Sequence, residues 1–252
     1  MRSLRMVRVI VAGLTVVMLP TVAAQSASAA TCGPLAVHGH WPMDEPPGAS
    51  TMHDVAGGNN GTVTYAKTGL TVPEHTGFGS FYRFGRGPEF PKGSMVTVTD
   101  TDILDPGACD FAVEISVNWD KVTPDPNNHT TFNVTQKGLS TAPANWKIEV
   151  DGGQRHFATA ICTFDGANDG RGEVRVRSIA KVPNNGSWTT LRCERHGNDF
   201  LVRVNGGPAV KSTVAGIGPV ENSSFLSVAA KKLNDSDTFP GDVDELVFSS
   251  GK

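Results

Sequence analysis

The chain has 252 residues, 38% of them apolar and 19% charged, with 28 Gly, 16 Pro and a formal charge of −3. That length can bury a full core unaided. So many helix breakers argue against a helical bundle, and the near-neutral balance argues against a basic nucleic-acid binder.

The first segment has the character of an export address. Arg2, Arg5 and Arg8 form a cationic start, Met6 to Leu19 are largely apolar, and Pro20 precedes a run of small residues ending Ala27-Ser28-Ala29. This is the order of a secretory signal peptide, and the apolar stretch falls short of the roughly 20 residues a membrane span needs. Residues 1–29 are therefore expected to be cleaved, leaving one domain over 30–252. Cleavage removes three arginines and no acid, so the mature chain is acidic. A secreted monomer with no nucleic-acid partner and no membrane span is expected. All four cysteines, Cys32, Cys109, Cys162 and Cys193, lie beyond the signal. An even count in an exported chain points to two disulfides, and the absence of a Cys-x-x-Cys pair argues against zinc. Three pairings are possible; Cys32–Cys109 with Cys162–Cys193 is the one favoured.

Period-two alternation dominates the mature chain. Met95 to Val98 is β-prone. Phe111, Val113, Ile115, Val117 and Trp119 share one face, with Ala112, Glu114, Ser116 and Asn118 on the other, the pattern of a half-buried antiparallel strand. Trp146, Ile148 and Val150 alternate with Lys147 and Glu149. Val174 and Val176 alternate with Arg175 and Arg177, and Phe200, Val202 and Val204 with polar neighbours. Phe225 to Ala229 is a further β-prone run. Asp151-Gly152-Gly153, Asp165-Gly166, Asn185-Gly186 and Asn205-Gly206-Gly207 supply reversals between runs, and His196-Gly197-Asn198-Asp199 has the make-up of a hairpin loop. No stretch carries a clean helical period. Many short strands with two unlike faces predict an all-β fold, a two-sheet antiparallel β-sandwich.

Several segments in order resemble the laminin-G-like jelly rolls of the concanavalin A-like lectin/glucanase superfamily. His40-Trp41-Pro42-Met43-Asp44-Glu45 is similar to the opening strand, and His53-Asp54 to Gly61-Thr62 to the loop after it. Gly79 to Gly85 is similar to the next strand, Asp110 to Trp119 to the "D-F-T-h-x-x-W-h" strand (h is apolar), and Gly186 to Asn205 to the "G-x-W…V-N-G" pair. Gly241 to Leu246 is similar to the closing "G-x-h-D-E-h" strand. Together they span nearly all of the mature chain. The resemblance implies a jelly roll; it leaves function open, because the superfamily holds lectins, adhesion modules and glycosidases.

Glycosidases of this superfamily use Glu-x-Asp-x-Glu or Glu-x-Asp-x-x-Glu, because retaining chemistry needs two carboxyl groups about 5–5.5 Å apart on one strand face. The nearest match is Glu149 and Asp151, with Gln154 where the acid/base should stand, and an amide cannot protonate a leaving oxygen. No Gly-x-Ser-x-Gly elbow or His-Glu-x-x-His helix occurs. The chain is expected not to be an enzyme.

On the last strand, strict alternation would put Asp244 on the same face as Leu246 and Phe248. A buried carboxylate needs a partner, and hard oxygen ligands in an acidic exported protein suit Ca²⁺. The resemblance implies one structural Ca²⁺ held by Asp54 and Asp244, with an oxygen from Asn59 or Asn60, and Asp44 and Asp242 as weaker candidates. The alternative for Asp54 is an Asx-turn cap on its own loop. Carbohydrate recognition calls for an exposed aromatic face. Tyr65 sits in a loop, and Trp146 and Trp188 are the other candidates, although Trp41, Trp119, Trp146 and Trp188 all fall at core-like positions. The expected role is non-catalytic binding, of a polysaccharide or other glycan ahead of a surface protein, through loops such as 65–80, 120–130 and 164–172.

Overall fold

The computed structural model describes residues 31–71, 79–85, 88–90, 92–120, 131–139, 141–142, 144–152, 158–167, 172–233 and 237–252. The expected signal peptide, Gln154 and parts of the loops 65–80, 120–130 and 164–172 lie outside them.

Alternation becomes strand wherever turn residues bound it. In chain order the strands are β1 Ala36–Trp41, β2 Thr51–Met52, β3 Gly61–Thr64, β4 Lys67–Leu70, β5 Phe81–Phe84, β6 Met95–Val98, β7 Phe111–Asp120 and β8 Thr131–Lys137. They continue as β9 Asn145–Asp151, β10 Ala158–Asp165, β11 Val174–Val182, β12 Asn185–His196, β13 Asp199–Val204, β14 Val210–Thr213, β15 Leu226–Val228 and β16 Gly241–Ser250. A single 3-10 turn, Asp102–Leu104, is the only helical element among the described residues.

The strands form two antiparallel eight-stranded sheets stacked as a sandwich. Sheet A runs β14-β13-β12-β7-β16-β5-β4, with β1 paired to β16; sheet B runs β11-β10-β9-β8-β15-β6-β3-β2. The first and last strands pair, with Trp41 opposite Leu246. Between the layers, Phe111 of sheet A meets Phe164 of sheet B edge-on at 5.8 Å, Phe164 lies 5.0 Å from Phe200, and Trp146 stacks on Phe248 at 6.1 Å. Aromatic contacts of this kind each add about 0.5–1.5 kcal/mol beyond area burial. Both disulfides form in the favoured pairing. Cys162–Cys193 joins β10 to β12, and so ties one sheet to the other. Chain-entropy reasoning assigns about 4 kcal/mol to each bridge.

A bulge on β16 reverses the face that alternation predicts for Asp244. On β16, Asp244 pairs Ser116 and Val247 pairs Glu114, so β16 carries one extra residue there; Glu245 takes φ 51°. Val243 therefore faces the core, as do Leu246 and Phe248 beyond the bulge. Asp244 turns to the outward side of sheet A, although it is buried. On β12 the register shifts between Asn185 and Trp188; from Trp188 on it is regular, so Trp188 stands opposite Asn118 on the outward side with Thr190 and Arg192, edge-on to Phe81 at 5.3 Å. Asn185-Gly186 thus lies inside the start of β12, not in a turn; Gly186 accommodates the irregularity at φ 82°.

Candidate functional site

Sheet B is buried on both sides at its centre, and its outward side is polar. Registers across the sheet align one residue from each strand. Arg175 stands opposite Thr163, which stands opposite Lys147. Lys147 faces Gln136, and Gln136 faces Ser227. Ser227 faces Thr97, Thr97 faces Thr62, and Thr62 faces Thr51. With strands ~4.8 Å apart, this row is roughly 30 Å long. Every member lies on the side opposite Ile148, Cys162, Val176, Val228 and Val96, which belong to the core. A second row, Arg177, Ile161, Glu149 and Asn133, runs beside it.

The middle of this surface holds polar atoms without partners. Thr163 Oγ1, Ser227 Oγ, both side-chain polar atoms of Asn133 and Asn145 Nδ2 are buried and make no hydrogen bond. An unsatisfied buried polar group costs about 1–3 kcal/mol, so several on one face are a concentrated cost to folding. Beside Gln136 lies a pocket of about 270 Å³, bounded by Gly138, Leu139, Ser223, Ser224 and Phe225. Phe225 is 40% exposed and Leu139 is 41% exposed. The pocket therefore sets an accessible aromatic ring against an amide and two hydroxyl side chains.

The charged side chains of this face are tied to each other. Arg175 binds Glu149 at 3.1 Å, Arg177 binds Asp151 at 2.6 Å and Thr159 at 2.8 Å, and Lys147 lies 3.5 Å from Glu149 and 3.8 Å from Glu173. Glu149 and Asp151, the two carboxylates of the incomplete glycosidase pattern, are thus paired to basic side chains. Lys137 points to the core side of β8, where its ammonium meets Asp100 at 2.6 Å, Asp105 at 2.7 Å and the carbonyl of Asn222 at 2.7 Å.

The residues expected to hold Ca²⁺ are differently employed. Asp54 Oδ1 accepts the amides of His40 (2.9 Å), Ala56 (2.9 Å) and Gly57 (3.0 Å), and Oδ2 accepts that of Asn59 (2.9 Å). Burial pushes this carboxyl up, but the four amides outweigh it and hold it below the usual carboxylate range. Asp54 is the cap of its loop. Asn60 accepts the amide of Asp54, and Asn59 Oδ1 accepts the Thr101 hydroxyl. Asp242 takes Arg83 in a two-pronged bond, at 2.6 and 2.9 Å. Asp244 turns away from the core face and lies near the charges of Asp44, Glu45 and Glu245. Asp44 accepts the Ser80 amide, and Glu45 accepts the His53 amide and the Tyr82 hydroxyl. Among the described residues no three His, Cys, Asp or Glu side chains converge as ligands of one ion. The oxygens of Asp54, Asn59, Asn60, Asp44 and Asp242 are spent on amides, a hydroxyl and a guanidinium, and as arranged they do not fit the ion. A hollow of about 480 Å³ beside Asp44, Glu45 and His53 is larger than the Phe225 pocket, but its carboxylates carry these same bonds.

The aromatic candidates divide. Tyr65 is 52% exposed, at φ 59°, with the Lys92 ammonium 5.6 Å from its ring. Trp146 lies wholly in the core against Phe248, so its ring is closed to a ligand. Sequence reasoning missed the polar residues on the outward face of sheet B. Ala158, Ala160, Cys162 and Phe164 do alternate with Thr159, Ile161 and Thr163, a signal that could have placed Thr163 on an outward face. Nothing comparable marks Asn133 or Gln136, because β8 is buried on both sides and carries a bulge.

No family profile and no curated protein matches the sequence. Solved structures do match. The binding domain of Paraclostridial Mosquitocidal Protein 1 has a TM-score of 0.61 at 12% identity, over 84% of this chain and 48% of that one. Domain 4 of AbnA, a GH43 extracellular arabinanase from Geobacillus stearothermophilus, solved with arabinotriose, has a TM-score of 0.56 at 17% identity, over 86% of this chain and 93% of the domain. The binding domain of Botulinum neurotoxin DC, solved with rat synaptotagmin II, has a TM-score of 0.54 at 12% identity, over 86% of this chain and 48% of that one. The chain spans about half the length of the toxin binding domains and nearly all of the arabinanase domain. At these identities the likeness is one of fold, a two-sheet β-sandwich.

Proposed function

We propose that the chain is an exported, non-catalytic carbohydrate-binding module that takes a glycan along the outward face of sheet B, entering at the pocket between Gln136 and Phe225. The observation that carries this reading is the cluster of buried, unbonded polar atoms on Thr163, Ser227, Asn133 and Asn145. Sugars offer hydroxyls that both donate and accept, and an aromatic ring such as Phe225 stacks on their apolar faces. Two disulfides suit an oxidising, extracellular setting. The segments similar to laminin-G-like jelly rolls coincide with β1, β5, β7, β12, β13 and β16, which supports placing the chain in that group. The arabinotriose in the arabinanase domain and the synaptotagmin on the toxin domain belong to those proteins. They favour a glycan first and a surface protein second for a fold of this kind.

Glycan array screening followed by affinity electrophoresis tests the reading. Retention by at least one polysaccharide is expected, weakened about tenfold by Phe225→Ala, as for loss of a well-packed contact. Release of reducing sugar would replace it with a glycosidase. A blank array with specific capture of a surface protein would replace it with the second reading.

A further inference from the structure

Resting on that reading, we infer that the glycan is an uncharged polysaccharide bound along the interior of its chain. On the described part of the face, the cations are Lys147, Arg175, Arg177 and Lys181, the last opposite Thr159, and the carboxylates are Glu149, Asp151, Glu173 and Asp165, the last opposite Asn145. Lys147, Arg175 and Arg177 each already have an acid, and four cations against four carboxylates sum to no charge. A uronate or sulfate would have to part Arg175 from Glu149 or Arg177 from Asp151, and would then lie against the carboxylate left behind. The groups that lack partners are of another kind: the hydroxyls of Thr163 and Ser227 and the amides of Asn133 and Asn145. They bond neutral hydroxyls without a charge to match. The Lys137 ammonium takes no part, because it is turned to the core side and enclosed by Asp100 and Asp105.

Length and openness fix the mode of binding. The row crosses all the strands of sheet B, is buried over Gln136, Ser227 and Thr163, and is exposed at Thr62 and Arg175 on its two sides. Exposed positions on both sides of the row leave neither end walled off, as binding to the middle of a polymer requires, whereas recognition of a chain end needs one end closed.

The test is affinity electrophoresis of the whole mature chain through gels containing arabinan, xylan, mannan or mixed-linkage glucan, and separately polygalacturonate or alginate, at low and high ionic strength. Retention by a neutral polymer is expected, with a dissociation constant that moves less than about twofold with salt. Oligosaccharides of that polymer should bind more tightly as they lengthen over several units. Glu149→Gln, which leaves Arg175 and Lys147 underneutralised, is expected to gain retention by polygalacturonate. Retention by acidic polymers alone, or affinity that collapses in salt, would overturn this inference and leave a carbohydrate-binding module standing. No retention by any polymer would overturn the module itself, and this inference with it.

Discussion

Thr163→Val should make the protein more stable and a weaker binder at once. The Thr163 hydroxyl is buried and bonds nothing, so folding strips it of water without replacement. Such a group costs about 1–3 kcal/mol. Valine keeps the branched shape that suits β10 and omits the oxygen. After a part of the gain is lost to imperfect repacking, about 1 kcal/mol of added stability should remain, a rise of roughly 2–4 °C in melting temperature for a domain of this size. If the hydroxyl bonds a sugar, its loss removes about 0.5–1.5 kcal/mol of affinity, a roughly 2- to 12-fold rise in dissociation constant. Thr135→Val supplies the contrast within the same sheet. That hydroxyl donates to the Ser227 carbonyl at 2.9 Å, so its removal should destabilise by about 0.5–1.5 kcal/mol. Urea unfolding and affinity electrophoresis on the two variants read both quantities. If Thr163→Val is destabilising and leaves retention unchanged, the unbonded oxygens are not kept for a ligand, and the reasoning fails.

Burial raises the Asp244 carboxyl to about 8, the Glu245 charge adds to it, the Glu245 amide opposes it, and Asp44 and Glu45 add further. The folded chain therefore holds this proton more tightly than the unfolded chain, whose aspartate titrates near 3.8. Stability should fall as pH rises between those values: the gap gives a ceiling of about 6 kcal/mol, and relaxation and water entry bring it nearer ~3. Asp244→Asn should remove that fall, so its stability relative to the parent should climb between about pH 5 and about pH 8.5 in urea titrations; a difference constant with pH would contradict this. Lys137→Met leaves Asp100 and Asp105 facing each other without their cation and should cost about 3–5 kcal/mol, and adding Asp100→Asn with Asp105→Asn should restore much of it. Chemical denaturation of the single and triple variants decides whether the lysine is a charge partner or only filler.

Where one side of a strand is wet, the sequence displays its fold openly. β13 and the closing half of β16 show this, and β7 separates its core and outward sets from Phe111 to Trp119 even though Ala112, Ser116 and Asn118 on its outer side are buried. Sheet B hides its centre because both sides of β8 are buried, so Thr131–Lys137 carries no hydrophobic rhythm and its polar groove residues resemble those of a loop. Bulges defeat parity altogether. One extra residue near Glu245 sends Asp244 to the side opposite Leu246 and Phe248, and no feature of Asp-Glu-Leu announces that glutamate will adopt a left-handed backbone. Trp188 is a different case: alternation with Leu191 and Cys193 puts it on the outward side, and only its large apolar ring suggests the core. Asp54 was legible in kind but not in use. A short acidic side chain before Gly57-Gly58 suits an Asx cap and a cation loop equally, and only the four amides that close on it separate the two.

Residues 162 and 163 sit side by side on β10, one pinned by a cystine to the opposite layer and the other turned to the groove. A long polymer lying on that face would drag along the surface whenever the fluid or the matrix moved. Dispersion contacts alone resist such sliding poorly, since each is small and lost in sequence. The covalent tie from Cys162 to Cys193 passes the load straight through to β12, next to the central strand of the other layer. The two layers are thereby held against gliding apart.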